Sequence, residues 1–127
     1  MKRVTGIGGI FFKTKDPKET REWYAKHLGI QGDEYGTMFP WRKEENPEEK
    51  AYTLLSMFPE KSGYFGDPQQ QYMINFRVEN LEALVQALKT EGVTVVDEIA
   101  TYEYGKFVHI LDAEGNKIEL WEAYDEK

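Results

Sequence analysis

Two residues in YGKFVHILDAEGNKIELWE, Tyr104 to Glu122, can do chemistry that their neighbours cannot: the imidazole of His109 and the carboxylate of Glu119. Each sits among aliphatic residues, His109 between Val108 and Ile110, Glu119 between Ile118 and Leu120. The segment DAEGN, with Gly115 and Asn116, tolerates positive φ, so the stretch reads as strand, tight turn, strand. With Leu111 opposite Lys117, Val108 faces Leu120 and His109 faces Glu119, and opposed residues share a sheet face. A one-residue slip would separate the pair. In this register Phe107, His109, Glu119 and Trp121 lie on one side. Val108, Ile110, Ile118 and Leu120 lie on the other, against a helix.

A carboxylate that holds an imidazole in one tautomer raises its basicity, as general-base work requires. Such a pair is also an ordinary cross-strand contact. Glu119 can act as a general base, as an acceptor for a ligand, or as a structural acid paired with Arg77 or His109. His109 is of the type that titrates near neutrality and can shuttle protons. The same alternation in YMINFRV puts Ile74, Phe76 and Val78 on the helix side and Met73, Asn75 and Arg77 on the other. Arg77 and Asn75 could bind an anionic or carbonyl group. Trp41, Tyr52, Phe11 and Trp121 are candidate ligand-binding walls or core, and Tyr102 and Tyr104 a candidate rim. One sheet face then looks like core, and the other, if the sheet curves, like a ligand cup. His27 stands near a helix C-terminus, where positive charge is favourable.

The elements that must position these groups occur twice. IFFKTKDPKETREWYAKHLGI from Ile10 and INFRVENLEALVQALKTEGV from Ile74 align Ile10 with Ile74, Phe12 with Phe76, Lys13 with Arg77 and Asp16 with Asn80. Each reads as strand, N-cap, helix, glycine stop. Asp16 can accept amide hydrogens of the first turn, Pro17 needs no donor there, and Glu19 completes a capping-box-like pattern. Leu81, Leu84, Val85 and Leu88 form one helical stripe. Gly29 and Gly92 are candidate stops. Strands are expected at GTMFPW and AYTLLSMF in the first half, and at VTVVDEI and the hairpin in the second. RKEENPEEK reads as an exposed hairpin loop, and PEKSGYFGDPQQQ as a connector between the halves.

The 127 residues suit one domain, residues 1–127, with module one at about 5–60 and module two at about 71–124. Zero cysteines exclude disulfides and thiolate metal sites and suit a reducing compartment. No apolar run is long enough for a membrane, and MKRVTGIGGIFF meets Lys13, Lys15 and Asp16 too soon for a signal peptide. The expected location is cytoplasmic. A net charge of -7 disfavours nucleic acid and mildly favours cationic ligands.

The quoted strand–helix segment from Ile10 and the ending LDAEGNKIELWE resemble the vicinal oxygen chelate superfamily, which includes glyoxalase I, extradiol dioxygenases, fosfomycin-resistance proteins and bleomycin-resistance proteins. The resemblance covers nearly the whole chain. It implies an α+β fold: two βαβββ modules forming a curved mixed sheet with an open cup, helices on the outer face, often in a homodimer. In metal-dependent members, ligands come from the first strand of each module, from the first module's closing strand and from the last strand of the second. Those positions match Gly9, Met73, Ser56 and Glu119. Gly9 has no side chain to offer, and Met is a poor ligand for Zn²⁺, Ni²⁺ or Mn²⁺. A catalytic zinc takes about three protein ligands. The resemblance therefore implies a small-molecule-binding protein of the glyoxalase/bleomycin-resistance type, without the usual metal and with no other cofactor. The alternative is a lyase- or isomerase-like enzyme acting on a small carbonyl substrate. Glu119 would be base or ligand, with His109 or a divalent metal such as Zn, Ni, Co or Mn stabilising the anion. The expected partners are a small-molecule ligand and a second copy of the chain, with neither nucleic acid nor membrane. In a third, purely structural reading, the cup is filled by its own side chains.

Overall fold

The computed structural model describes residues 2–124. Strand β1 (Val4–Thr14) leads into helix α1 (Pro17–Leu28) through Asp16, whose side chain accepts the Glu19 N–H at 3.1 Å. Helix α2 (Leu81–Thr90) starts the same way, with Asn80 accepting the Ala83 N–H at 3.1 Å. Both expected caps are thus in use. Helix α1 stops at Gly29, in the left-handed region at φ 68, and α2 at Glu91, one residue before Gly92. The remaining strands are β2 (Thr37–Arg42), β3 (Lys50–Pro59), β4 (Tyr72–Val78), β5 (Ala100–Tyr102), β6 (Gly105–Leu111) and β7 (Lys117–Ala123). No helix among the described residues is long and apolar enough to cross a membrane.

The strands form one mixed sheet in the order β2-β3-β1-β4-β7-β6-β5, an α+β architecture with a curved sheet that does not close into a barrel. β1 runs parallel to β3 and antiparallel to β4, and β4 runs parallel to β7. Ile10 pairs with Ile74 across the β1–β4 seam. The residues aligned by the internal repeat therefore meet where the halves join, as a local pseudo-twofold requires. In the hairpin Leu111 opposes Lys117 and His109 opposes Glu119, the expected register. Asp112 Oδ1 closes its turn by accepting the Glu114 and Asn116 N–H groups, both at 2.9 Å.

Two local expectations need correction. The first half builds only β2 and β3 after its helix. Where a further strand would complete βαβββ, residues 33–36 make a turn with a single Asp33–Gly36 bridge. VTVVDEI forms no strand either. It runs beside β6, with Leu111 N–H donating to Thr94 O and Val96 N–H to His109 O. The His109 N–H, however, goes to the Asp97 carboxylate at 2.8 Å rather than to a strand carbonyl, which interrupts the ladder. Regular pairing resumes only at β5.

The sheet faces divide as the alternation predicts. On the outer face Val78, Leu81, Leu84, Val85, Val108 and Leu120 form a buried cluster that holds α2 to β4, β6 and β7. On the inner face Phe11, Phe65 and Met73 form a second cluster. Phe65 belongs to the segment read from sequence as a plain connector, yet its ring is fully buried.

Candidate functional site

The concave inner face holds an open cup of about 570 Å³. Phe11 and Phe58 form one wall, with ring centroids 5.6 Å apart. Tyr52, Phe107 and Trp121 form the other. Phe107 stacks on Trp121 at 5.6 Å, and Tyr52 meets the indole edgewise at 5.4 Å. Tyr35, Tyr102 and Tyr104 stand exposed at the mouth, the last two stacked at 5.6 Å. Trp121 is fixed by its Nε1–H, which donates to Tyr104 O at 3.1 Å. The indole can come this close because residue 105 is glycine. A Cβ there would lie 2.5 Å from Trp121 Nε1, and the φ of 141 favours glycine as well.

At the floor is Glu119, only 2% exposed. Asn75, on the adjacent β4 and paired with Glu119 in register, donates its Nδ2 to Glu119 Oε1 at 2.6 Å. His109 Nε2 lies 2.8 Å from Glu119 Oε2, and its Nδ1 lies 2.7 Å from Asp97 Oδ2. Tyr64 donates its hydroxyl to the same Glu119 Oε2. The carboxylate therefore has three partners on two oxygens, which satisfies most of a buried charge. Burial depresses the imidazole pKa of His109, but the hydrogen bonds and charges of Glu119 and Asp97 outweigh it, and the net direction is upward. With the ring protonated, both nitrogens donate. Tyr64 is pushed the other way from reactivity. Burial first, then the charge and hydrogen bond of Glu119, raise its pKa, so the phenol stays a donor.

The Asp97 side chain is 45% exposed, so Asp97, His109, Glu119 and Tyr64 make a continuous hydrogen-bonded chain from solvent to the cup. Neither end of this chain was identified from sequence. Asp97 sits in an expected strand and Tyr64 in an expected connector. The one signal was SGYFGDP, two adjacent aromatic residues flanked by glycines, a composition unlike a free linker. Tyr64 is seated by its stack on Phe58 at 5.6 Å and by Lys117, which donates Nζ to Tyr64 O at 2.7 Å.

Of the sequence-derived candidates, Glu119, Asn75, Tyr52, Phe11 and Trp121 line the cup. His109 stands behind them, edge-on to Tyr64 at 5.2 Å. Arg77 and Trp41 do not line it. The Arg77 guanidinium lies 4.7 Å from the Trp121 ring and 5.4 Å from that of Trp41, and it donates to Tyr52 O at 3.0 Å. Both residues border a separate charged hollow with Lys43, Glu49 and Glu122.

The side chains at the family's metal-ligand positions do not fit a metal. A Cβ on Gly9 would lie 2.6 Å from the Phe11 ring. Met73 is packed with Phe11 and Phe65, and Ser56 Oγ donates to Tyr35 O at 3.2 Å. Among the described residues no three His, Cys, Asp or Glu side chains are grouped to hold an ion.

Comparison with known proteins agrees with this architecture. The chain is 27% identical over 122 residues to the uncharacterized protein YetH of Bacillus subtilis (strain 168), covering 94% of this chain and 99% of that one. Among solved structures, methylmalonyl-CoA epimerase from Mycobacterium tuberculosis superposes with a TM-score of 0.62 at 23% identity, covering 97% of this chain and 91% of that one. A Streptomyces coelicolor methylmalonyl-CoA epimerase variant in complex with 2-nitronate-propionyl-CoA gives 0.70 at 18% identity, covering 95% and 99%. The Mn(II)-bound glyoxalase from Novosphingobium aromaticivorans gives 0.59 at 16% identity, covering 96% of this chain but 40% of that one. The family model described as Glyoxalase/Bleomycin resistance protein/Dioxygenase superfamily matches residues 6–120, and with the curved sheet and hairpin register in place, the chain belongs to that superfamily.

Proposed function

We propose that the protein binds a small organic molecule in the aromatic cup, without a resident metal. The observation that carries this reading is the open space of about 570 Å³ between aromatic walls and a buried polar floor. That size lies within the roughly 300–1,000 Å³ of small-molecule sites, and apolar walls with a few convergent polar groups are their usual make-up. Self-filling by the cup's own side chains would leave no such space. The test is a thermal-shift screen of planar aromatic compounds on metal-stripped protein. Compounds that stabilise the stripped wild type, and lose their effect in Tyr52→Ala and Tyr102→Ala, support the reading. Stabilisation that appears only after Zn²⁺, Ni²⁺, Co²⁺ or Mn²⁺ is added, and is lost in Glu119→Gln, overturns it.

The solvent-to-cup chain favours a second reading, a lyase- or isomerase-like enzyme on a small carbonyl substrate. Glu119 would take a proton from the carbon beside the carbonyl, and Asp97 and His109 would exchange it with solvent. Deuterium incorporation into a panel of small carbonyl compounds and thioesters, abolished in Glu119→Gln, would promote this reading. No exchange across the panel removes it.

The assembly proposed is a homodimer, supported by the apolar outer surface of β1 that the helices leave exposed at Ile7 and Ile10. The proposed location is the cytoplasm, which a chain with no cysteine suits.

A further inference from the structure

We propose that the ligand of the cup is a planar organic cation bearing N–H donors. This rests on the cup being a ligand site and names its chemical class. Three observations point the same way. First, the lining includes two carboxylates, Glu34 at the mouth and Glu119 at the floor, and among the described residues it includes no lysine, arginine or histidine. The nearby cations are turned elsewhere. Arg77 is screened by the rings of Trp41, Tyr52 and Trp121, and Lys117 Nζ donates to Tyr64 O. Even with His109 protonated, Asp97, His109 and Glu119 together keep one net negative charge, with Glu119 buried at the floor and Asp97 on the solvent side, outside the cup lining.

Second, the walls and mouth are mostly aromatic, and ring faces attract cations. Third, Asn75 Oδ1 is a buried acceptor with no hydrogen-bond partner among the described residues, on a side chain 1% exposed at the cup floor. It occupies the space a side chain on Gly8 would fill, 2.1 Å from that Cβ position, so residue 8 must be glycine for the acceptor to sit there. An orphaned acceptor favours a ligand that brings a donor and disfavours one that brings another acceptor. A ligand carrying phosphates or carboxylates would meet like charge at both mouth and floor.

Three probes of one shape separate the charge classes: 9-aminoacridine (cationic, with N–H donors), acridine (neutral) and acridine-9-carboxylate (anionic). All are titrated against the whole protein by fluorescence at mildly alkaline pH. The expected order is 9-aminoacridine tightest, by at least about tenfold over acridine, with the carboxylate weakest. Glu34→Gln, at an exposed position that folding does not need, should shrink the cation's advantage severalfold. Tyr102→Ala and Tyr104→Ala should weaken every probe that binds. Acridine or its carboxylate binding as tightly as the cation overturns the cation assignment and leaves the cup reading standing. A cation preference untouched by Glu34→Gln and by the mouth variants places the binding on the general acidic surface and also overturns it. Failure of all three probes overturns the assignment and the cup reading together.

Discussion

His109 is held between two carboxylates, Nδ1 to Asp97 at 2.7 Å and Nε2 to Glu119 at 2.8 Å, and this sets the sign of its pH dependence. Burial disfavours the imidazolium, but its two charged partners favour it more, and its pKa is raised above the ordinary 6.5. A raised folded-state pKa adds stability that is fully present below the unfolded value and is lost as pH rises through the folded value. Chemical denaturation of wild type and His109→Gln should therefore differ most near about pH 6, by about 2 kcal/mol, the scale of a hydrogen bond to a charged group. The gap should narrow as pH rises from the unfolded value through the raised folded value, where the folded ring loses its proton too. A gap that does not change with pH would mean that folding leaves the imidazole pKa where it is in the unfolded chain. Gly8 makes the complementary prediction. A Cβ there would lie 2.1 Å from Asn75 Oδ1, 2.9 Å from Trp121 Cε3 and 3.0 Å from Arg77 Cγ. Gly8→Ala should cost about 1–3 kcal/mol and disturb the Asn75–Glu119 bond, a loss to be read in the same denaturation experiment. No measurable cost would mean that the Asn75 side chain has room to move aside.

Among the elements, the hairpin was readable because its alternation and turn chemistry agree on one register. Val108 and Leu120 had to face a helix, and that left His109 and Glu119 nowhere else to go. The helix caps were readable for the same reason: Asp16 and Asn80 each precede an amphipathic segment and do one local job. What escaped the sequence was set by partners far along the chain. VTVVDEI has the composition of a strand, but its own Asp97 carboxylate takes the N–H of His109 on β6 and breaks the ladder, a contact between two separate segments. The segment carrying Tyr64 and Phe65 has the glycine and proline content of a linker, and its burial depends on Phe11, Phe58 and Met73. Its docking predicts a large effect from a loop substitution. Phe65→Ala should destabilise by about 3–5 kcal/mol, as for a core phenylalanine, rather than the roughly half kcal/mol of a surface change. It should also weaken ligand binding by releasing Tyr64 from Glu119. A denaturation midpoint close to wild type would mean that the loop does not dock in solution.

For the molecule as a whole, the pseudo-twofold that pairs Ile10 with Ile74 holds at the β1–β4 seam and not in the packing of the helices. Helix α2 buries Leu81, Leu84 and Val85 against β4, β6 and β7. Helix α1 buries none of its residues, and its Trp23 and Leu28 stay 53% and 58% exposed. Beside it, Ile7 and Ile10 on β1 are 41% and 38% exposed, next to a hollow of about 420 Å³ bordered by Tyr72, Ile74, Phe76 and Ile118. A chain of net charge -7 has ample polar surface, so apolar exposure concentrated on one half and one face asks for a cover. A second copy offering the same face across a twofold axis is self-complementary and leaves no unmatched surface to extend an open chain of contacts. Sedimentation of the wild type at micromolar concentration should therefore give a dimer. Ile10→Lys, outward-facing and remote from the cup, should give a folded monomer with unchanged ligand affinity, because the cup is built within one chain. A wild-type monomer, or a dimer indifferent to Ile10→Lys, would remove this face as the contact. A monomer that has lost ligand affinity would instead mean that the partner helps to shape the site.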